Sequence, residues 1–254
     1  MFEALAQADK SFRRYLAQKH IDLRSIATLE ESKRAADIRK IVWIVALREY
    51  YRGEDDDSRR DVRIRSRKRS LFTGAEALFA ISEGNPRWFI GITENLLDRW
   101  RDTDRALEDS IQAEEIMKAA QRFSAMLSTL PVPGAPSLPS LMQILESVGS
   151  FFYEQAVKAD FTAEPPATFI VDNAVPPEIK AVLECAVNAG AIIFVPERKG
   201  EAFVHTLTGR RFRISYLLAP LYRLPLRLGK ATSLSRILIL KRSSDTSQLH
   251  LGIE

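Results

Sequence analysis

The sequence predicts a mainly α-helical protein with a small β component, in two domains. Apolar residues recur at helical spacing throughout the first half of the chain. Segment 130–140, LPVPGAPSLPS, holds four of the twelve prolines and therefore predicts a linker. Two short apolar segments after it, AIIFVP and RFRISYLL, have the length of strands. We therefore expect a helical domain at 1–129, a proline-rich linker at 130–140 and a mixed domain at 141–254.

The composition indicates a globular protein without a membrane segment. Of the 254 residues, 46% are hydrophobic and 28% are charged, which is ordinary for a chain with a core of its own. The longest apolar runs, such as Ile41 to Leu47, are too short to cross a bilayer. The N-terminal residues mix acidic and basic side chains and do not form a secretory signal. Cys185 is the single cysteine, so no internal disulfide can form, and we expect a cytoplasmic setting without a membrane partner.

The first half reads as helices with one long polar interruption. Segment 53–70 lacks an apolar period and is expected to be an exposed, basic loop. Thr73, Asn85 and Asp104 are predicted to start the helices that follow it. The predicted helices are Phe2–Lys19, Leu29–Arg52, one from Thr73 through Ser82, one from Asn85 to Arg101, and one from Asp104 to Ser128.

The stretch ISEGNPRWF combines the end of one helix with the start of another. Gly84 is a typical helix stop, Asn85 a typical N-cap, and Pro86 suits the first helical position. Arg87 follows, although a cation at a helix N-terminus is disfavoured by about 0.3–1 kcal/mol. Local helix physics therefore explains three residues and leaves Arg87 as a candidate anion-binding residue. The apolar residues after it are predicted to be core: Trp88, Phe89, Ile92 and Leu96.

The second half alternates helices with strand-like segments. A helix is predicted over Leu141–Ala159, followed by a short strand in ATFIVD. Pro176 and Pro177 open a helix that ends at Ala189, before Gly190. AIIFVP and RFRISYLL then read as an outgoing and a returning strand, joined by the long connection ERKGEAFVHTLTGR. This order is typical of the final half of a winged-helix domain.

Signals for catalysis are scarce. The three histidines, His20, His205 and His250, are far apart and have no metal-ligand spacing, so no metal site is expected. RLGKAT differs from a phosphate-binding loop, because Leu224 stands at the position of its leading glycine and the threonine comes one residue late. Asp172 after TFIV is expected to form an Asx turn. We therefore predict no catalytic residue in this chain.

Basic residues are concentrated in two places. Segment 58–70 has seven basic residues and one acidic residue, and the chain from Gly190 onwards has eleven Lys/Arg against four Asp/Glu. Such asymmetry suits a polyanion, although a solvated loop or an ordinary exposed hairpin gives the same pattern. Phe212 and Tyr216 are predicted to be core and not base-stacking. The predicted DNA-binding residues are Arg59, Arg60, Arg63, Arg65, Arg67, Lys68, Arg69, Arg198, Lys199, Arg210, Arg211 and Arg213.

ISEGNPRWFIGITENLLDRW resembles the lid-domain helix of AAA+ ATPases of the origin-recognition and replication-initiator type. RFRISYLLAPLYRLPLR is similar to the C-terminal portion of bacterial ATPases of this group, many of which belong to mobile-element or phage-defence loci. The resemblance implies a helical lid followed by a winged helix with a basic wing. It also implies that Arg87 is a nucleotide sensor that reaches the γ-phosphate of ATP held by a preceding ATPase domain.

The nucleotide-binding core of that family has no counterpart in this sequence. Its phosphate-binding loop, acidic strand motif and first sensor are all missing, so the chain is either a C-terminal piece of a longer or split ATPase or a relic. We predict a non-catalytic module that binds double-stranded DNA beside an ATPase core supplied elsewhere. ATP and magnesium are expected only with that core. A second copy of the chain, in a homo-oligomer, is a further candidate partner. The rival prediction is a protein-interaction or oligomerisation scaffold with no nucleic-acid role.

Overall fold

The computed structural model describes residues 1–24, 31–56, 71–103, 106–131, 139–197 and 206–241. The predicted class, mainly α with a small β component, is confirmed. The chain forms two compact units, Met1–Leu71 with Tyr153–Pro165, and Phe72–Phe152 with Pro166–Glu254. The limits of these units do not follow the predicted division at 130–140, which stays a prediction. None of the helices in the described ranges is both long and apolar enough to cross a bilayer.

Among its described residues, the first unit begins with helices α1 (Phe2–Ala8), α2 (Lys10–Gln18) and α3 (Glu31–Asp56). The prediction of one helix over Phe2–Lys19 is wrong, because Asp9 has extended backbone and divides it. Its carboxylate accepts hydrogen bonds from the amides of Ser11 and Phe12 and so caps α2. Helix α3 continues through Asp56, so the first four residues of the predicted loop are helical. A charged segment can extend a helix that packing has already nucleated.

A buried arginine stands in the core of the first unit. Arg48 is fully buried and donates from Nη1 to Asp9 at 2.8 Å. Its remaining donors reach the carbonyl oxygens of Ala156 at 2.7 Å and Ala159 at 2.6 Å. These carbonyls belong to or follow a π-helical turn, Glu154–Lys158. Around them lies the apolar core, which includes Leu5, Phe12, Leu16, Ile41, Ile44, Val45, Val157 and Phe161.

The part of the second unit that the structure describes opens with helices α4 (Gly74–Ile81), α5 (Pro86–Thr103), α6 (Asp109–Ser128) and α7 (Leu141–Tyr153). Helix α6 begins at Asp109 and not at Asp104, because Glu108 is the N-cap and has extended backbone. A reciprocal capping pair starts α7: the Ser140 hydroxyl accepts from the Gln143 amide, and the Gln143 side chain accepts from the Ser140 amide. The helix predicted over Leu141–Ala159 therefore ends its α-helical part at Tyr153 and continues as the π-helical turn.

A four-stranded sheet follows, with strands β1 (Pro166–Ile170), β2 (Ile192–Phe194), β3 (Arg211–Ile214) and β4 (Lys230–Ser233) in the order β2-β3-β1-β4. Strands β2 and β3 pair antiparallel, as the sequence predicts, with Ile193 opposite Arg213. β1 pairs antiparallel with β3 and parallel with β4. The sequence did not predict β4, which lies in the KATS segment. The winged-helix assignment stays a prediction.

Helices lie between and after these strands along the chain. Helix α8 (Pro177–Asn188) ends as predicted, with Gly190 at φ +74°. The predicted strand RFRISYLL is only half strand: Ser215 caps a 3₁₀ turn, Tyr216–Leu218, which leads into α9 (Ala219–Tyr222). A last helical segment, α10, covers 234–241. Gly149 of α7 packs so closely on Tyr222 that a Cβ there would lie 2.6 Å from the ring.

Candidate functional site

The turn between α4 and α5 carries the candidate sensor. Glu83 and Gly84 both have left-handed backbone, with φ of +54° and +69°. The amide of Asn85 donates to the carbonyl oxygen of Ser82 at 2.7 Å, which closes the turn. The Asn85 side chain accepts from the amide of Arg87 at 3.0 Å, so the predicted cap is confirmed. Pro86 is the first residue of α5, as predicted.

Arg87 stands one residue into α5 and is exposed. Its guanidinium has no hydrogen bond or ion pair with any of the residues that the structure describes. The two aromatic residues after it are half-buried, with Trp88 against Phe123 at 5.3 Å between ring centroids. Ile92 and Leu96 are buried, as predicted. The helix is therefore held from one side while Arg87 faces solvent.

Glu83 is the polar centre of this region, and the sequence did not single it out. Its carboxylate accepts two hydrogen bonds from Arg213, each of 2.6 Å, which is a bidentate ion pair. It also accepts from the Ser215 hydroxyl at 3.2 Å and from the Tyr216 amide at 2.5 Å. The two charged side chains are only 16% and 13% exposed. The turn before Arg87 is therefore bound to the end of β3.

The guanidinium of Arg213 is fixed on a second side by an aromatic ring. Its central carbon lies 3.7 Å from the centroid of the Tyr216 ring, within cation–π range. Burial raises the pKa of the Tyr216 phenol, and the carboxylate of Glu83 adds to this, while Arg213 acts in the opposite direction. The neutral phenol is thus the favoured form beneath the cation.

Two other predicted wing arginines, Arg210 and Arg211, lie just before Arg213. Arg211 donates to the Thr168 hydroxyl at 2.9 Å and to the carbonyl oxygen of Gly229, so it links β3 to β1 and to the start of β4. Arg210 is half-buried, and its carbonyl oxygen accepts from the amide of Val171 at 3.1 Å. Arg211 and Arg213 therefore support the sheet, and their contact with DNA stays a prediction.

Most of the predicted DNA-binding residues lie outside the described residues. These are Arg59, Arg60, Arg63, Arg65, Arg67, Lys68, Arg69, Arg198 and Lys199. The aromatic residues predicted to be core differ from each other: Phe212 is buried in the sheet, whereas Tyr216 is half-buried.

Asp172 has the local role that the sequence predicts. It accepts from the Ala174 amide at 3.0 Å, which is an Asx turn, and also from the amide of Ser235 at 3.1 Å, near the start of α10. Burial opposes its ionisation, but these hydrogen bonds outweigh burial and hold the pKa of the carboxyl below its usual value. Across the described ranges, no three His, Cys, Asp or Glu side chains cluster as metal ligands would.

The only local feature that distinguishes Glu83 is its left-handed backbone conformation. A non-glycine residue directly before a helix-stopping glycine can itself adopt left-handed backbone, but the sequence does not show which side chain does so. Its partner, Arg213, lies 130 residues further along the chain. No local pattern connects two such positions.

A family model described as ORC-CDC6-like matches residues 2–234 of the chain. No curated protein and no solved structure matches the chain. The match extends over both compact units, from α1 to the start of α10.

Proposed function

The chain belongs to the ORC-CDC6-like family, and from that premise we propose that it works as a DNA-binding module beside an initiator-like ATPase core. The resemblance of the ISEGNPRWF region to a lid helix predicts this family, and the family match confirms it. In this proposal Arg87 senses the nucleotide, and the basic residues bind DNA phosphates. Membership relates the chain to AAA+ proteins, which supports ATP as the nucleotide.

The observation that carries the sensor role is the state of Arg87. A charged side chain at a disfavoured helix position, exposed and without a partner among the described residues, is available to an anion from outside. The turn before it is held by a cap and by a bidentate ion pair, so the backbone that presents the guanidinium is ordered. Order before binding reduces the entropy lost when a ligand is bound.

A salt series tests the DNA half of the proposal. We expect the triple variant Arg198→Glu, Lys199→Glu and Arg210→Glu to bind a duplex of random sequence at least about tenfold more weakly at low salt. The slope of log affinity against log salt should fall by about 0.9 for each phosphate contact removed. Arg211 and Arg213 are left unchanged, because their partners in the sheet would be lost with them.

The matched control reverses the same amount of charge elsewhere. Lys10, Arg13 and Lys19 are exposed residues of the first unit and are changed to glutamate together. Fluorescence anisotropy should show a smaller change in salt slope for this control than for the triple variant. Equal slopes for the two variants would mean that net charge alone attracts DNA, and the wing assignment would be wrong.

The sensor half is tested with an ATPase core encoded beside the chain's own gene. Co-purified with that core, Arg87→Ala should lower ATP hydrolysis by about tenfold or more, because it removes a charge aimed at the developing negative charge of the transferred phosphate. Arg101→Ala is the control, since Arg101 lies on the same helix but pairs with Asp98. Equal hydrolysis with Arg87→Ala and with the wild-type chain would remove the sensor role.

A scaffold function has one observation in its favour. Phe79 and Ile90 are 64% and 58% exposed, and Leu97 and Trp100 are about half exposed on the same α4–α5 segment. Ile90 and Leu97 are seven residues apart and therefore share one face of α5. Under this alternative, mass measurement in solution shows an oligomer that Ile90→Asp dissociates, and DNA has no effect.

The cellular setting stays a prediction. A cytoplasmic location, a bacterial host and a role in phage defence or in a mobile element were all predicted from the sequence and its resemblance. The family match supports the initiator-like relationship.

A further inference from the structure

We propose that Glu83 and Arg213 are positioning residues for Arg87: their ion pair fixes the turn that starts α5 to strand β3. The value of this arrangement for nucleotide sensing rests on the function proposed above. The arrangement itself is carried by the contacts of the turn. It would give Arg87 and strand β3 a common support.

The backbone of Glu83 shows that its place is determined by contacts. A non-glycine residue with left-handed backbone is disfavoured and persists where surrounding contacts fix it. The carboxylate has four donors: both terminal nitrogens of Arg213, the Ser215 hydroxyl and the Tyr216 amide. Two of these donors form a planar fork and one is backbone. Such a set fixes the direction of the carboxylate as well as its distance from β3.

The partner is equally constrained. Arg213 has its guanidinium over the Tyr216 ring and donates a longer hydrogen bond of 3.3 Å to the carbonyl oxygen of Ile214. Its strand is paired on both sides, by β2 and by β1. The ion pair therefore joins two ordered elements, and it is screened from solvent more than a surface pair would be.

Only three residues separate Glu83 from Arg87, and each has restricted freedom. Gly84 has left-handed backbone, Asn85 is held at its amide by Ser82 and at its side chain by the Arg87 amide, and Pro86 has a fixed φ. The position of the Arg87 backbone therefore follows from that of Glu83. Because Glu83 is paired with Arg213, the position of the Arg87 backbone also depends on that of strand β3.

Amide hydrogen exchange on the full chain tests this positioning. In Glu83→Gln, the amides of Asn85, Arg87 and Phe89 should exchange at least about tenfold faster than in the wild-type chain, because local opening of the turn no longer breaks an ion pair. Arg213→Lys keeps the charge but loses the fork, and we expect an intermediate acceleration. The amides of Phe123 and Leu127 in α6 should stay within about twofold of wild type, which excludes global unfolding.

A role in the sheet alone gives a different pattern. Acceleration at the Ser215 amide, which donates to Ala191, with unchanged exchange at Asn85, Arg87 and Phe89, would overturn the positioning role. Arg101→Gln, which removes an exposed pair from the other end of α5, is the control and should leave those three amides unchanged. If the exchange follows the expectation while Arg87→Ala leaves ATP hydrolysis unchanged, the sensor role fails and the positioning stands.

Discussion

The carboxylate of Asp9 lies 2.8 Å from the guanidinium of Arg48, and both side chains are almost completely excluded from solvent. Asp9 thereby has two tasks, since the same carboxylate caps α2. Arg52 approaches it at 3.2 Å from a more exposed position. A buried charge of this kind is tolerated when it is paired and hydrogen-bonded. In Arg48, each of the nitrogens Nε, Nη1 and Nη2 has an acceptor.

Removing the charge of Asp9 should strongly destabilise the first unit. In Asp9→Asn the side-chain carbonyl oxygen can still accept the hydrogen bonds that cap α2, but the buried Arg48 loses its counter-charge. We expect the free energy of unfolding to fall by about 3–5 kcal/mol, as measured by urea denaturation.

The control for this variant is Asp160→Asn. Asp160 pairs with Arg14 at 3.8 Å, with both side chains largely exposed, so its loss should change stability by less than about 1 kcal/mol. Equal effects of the two variants would show that the buried ion pair of Asp9 stabilises the protein no more than an exposed pair does.

Acid should weaken the same unit through Asp9. Burial opposes ionisation of this carboxyl, but the hydrogen bonds from Ser11 and Arg48, together with Arg52, hold its pKa below the ordinary value of 3.8. The unfolded chain therefore binds this proton more readily than the folded one. The stability that Asp9 contributes is complete above the unfolded pKa and is lost as the pH falls through the folded pKa.

This dependence is measured by urea denaturation at a series of pH values from 5 downwards. The wild-type chain should lose stability below about pH 3.8 more steeply than Asp9→Asn, whose amide does not titrate. Parallel curves for the two proteins would assign the acid sensitivity to other carboxyls.

Gly149→Ala should destabilise the second unit. An added Cβ would lie 2.6 Å from two ring carbons of Tyr222 and 3.0 Å from its Cβ, which cannot swing away as the end of a flexible chain would. We expect a loss of about 1–3 kcal/mol in thermal or urea unfolding.

Gly91→Ala is the matched comparison. Gly91 lies inside α5, and its added Cβ would meet nothing within 4 Å, so the better helix propensity of alanine should raise stability by about 0.5–1 kcal/mol. A gain of stability in both variants would mean that α9 is not packed against α7 as the structure has it.

Asn85→Ala should remove the cap of α5. The amide of Arg87 loses its acceptor, and we expect a cost of about 0.5–2 kcal/mol in urea unfolding. Asn95→Ala, inside the same helix, serves as the comparison and should be neutral or slightly stabilising. No difference between the two asparagines would argue against the capping geometry of this turn.

Features that depend on neighbouring residues were predictable from the sequence. The cap at Asn85, the Asx turn at Asp172 and the glycine stop at Gly190 each involve residues within about four positions of one another. The break at Asp9 had such a local signal too, since aspartate is a strong N-cap. Apolar residues on both sides of it continue one helical period, and this concealed the break.

Contacts between distant residues were not predictable. Strand β4 pairs with β1, although Lys230 and Pro166 are far apart along the chain. The four residues of β4 are too few and too polar to predict a strand. The same reason applies to Glu83 and Arg213. Arg213 was predicted to contact DNA because its charge can be read from the sequence. Its pairing with the carboxylate of Glu83 cannot be read there.

The acceptors of Arg48 also affect the order in which this protein can fold. Ala156 and Ala159 follow Arg48 by 108 and 111 residues, across the whole of Phe72–Phe152. A ribosome that synthesises the chain from its N-terminus completes α1 to α3 long before those carbonyls exist. Until then the Nε and Nη2 atoms of Arg48 lack their native acceptors, and we expect water to hydrate them. The first unit is thus begun first and finished only when residues 153–165 have been synthesised.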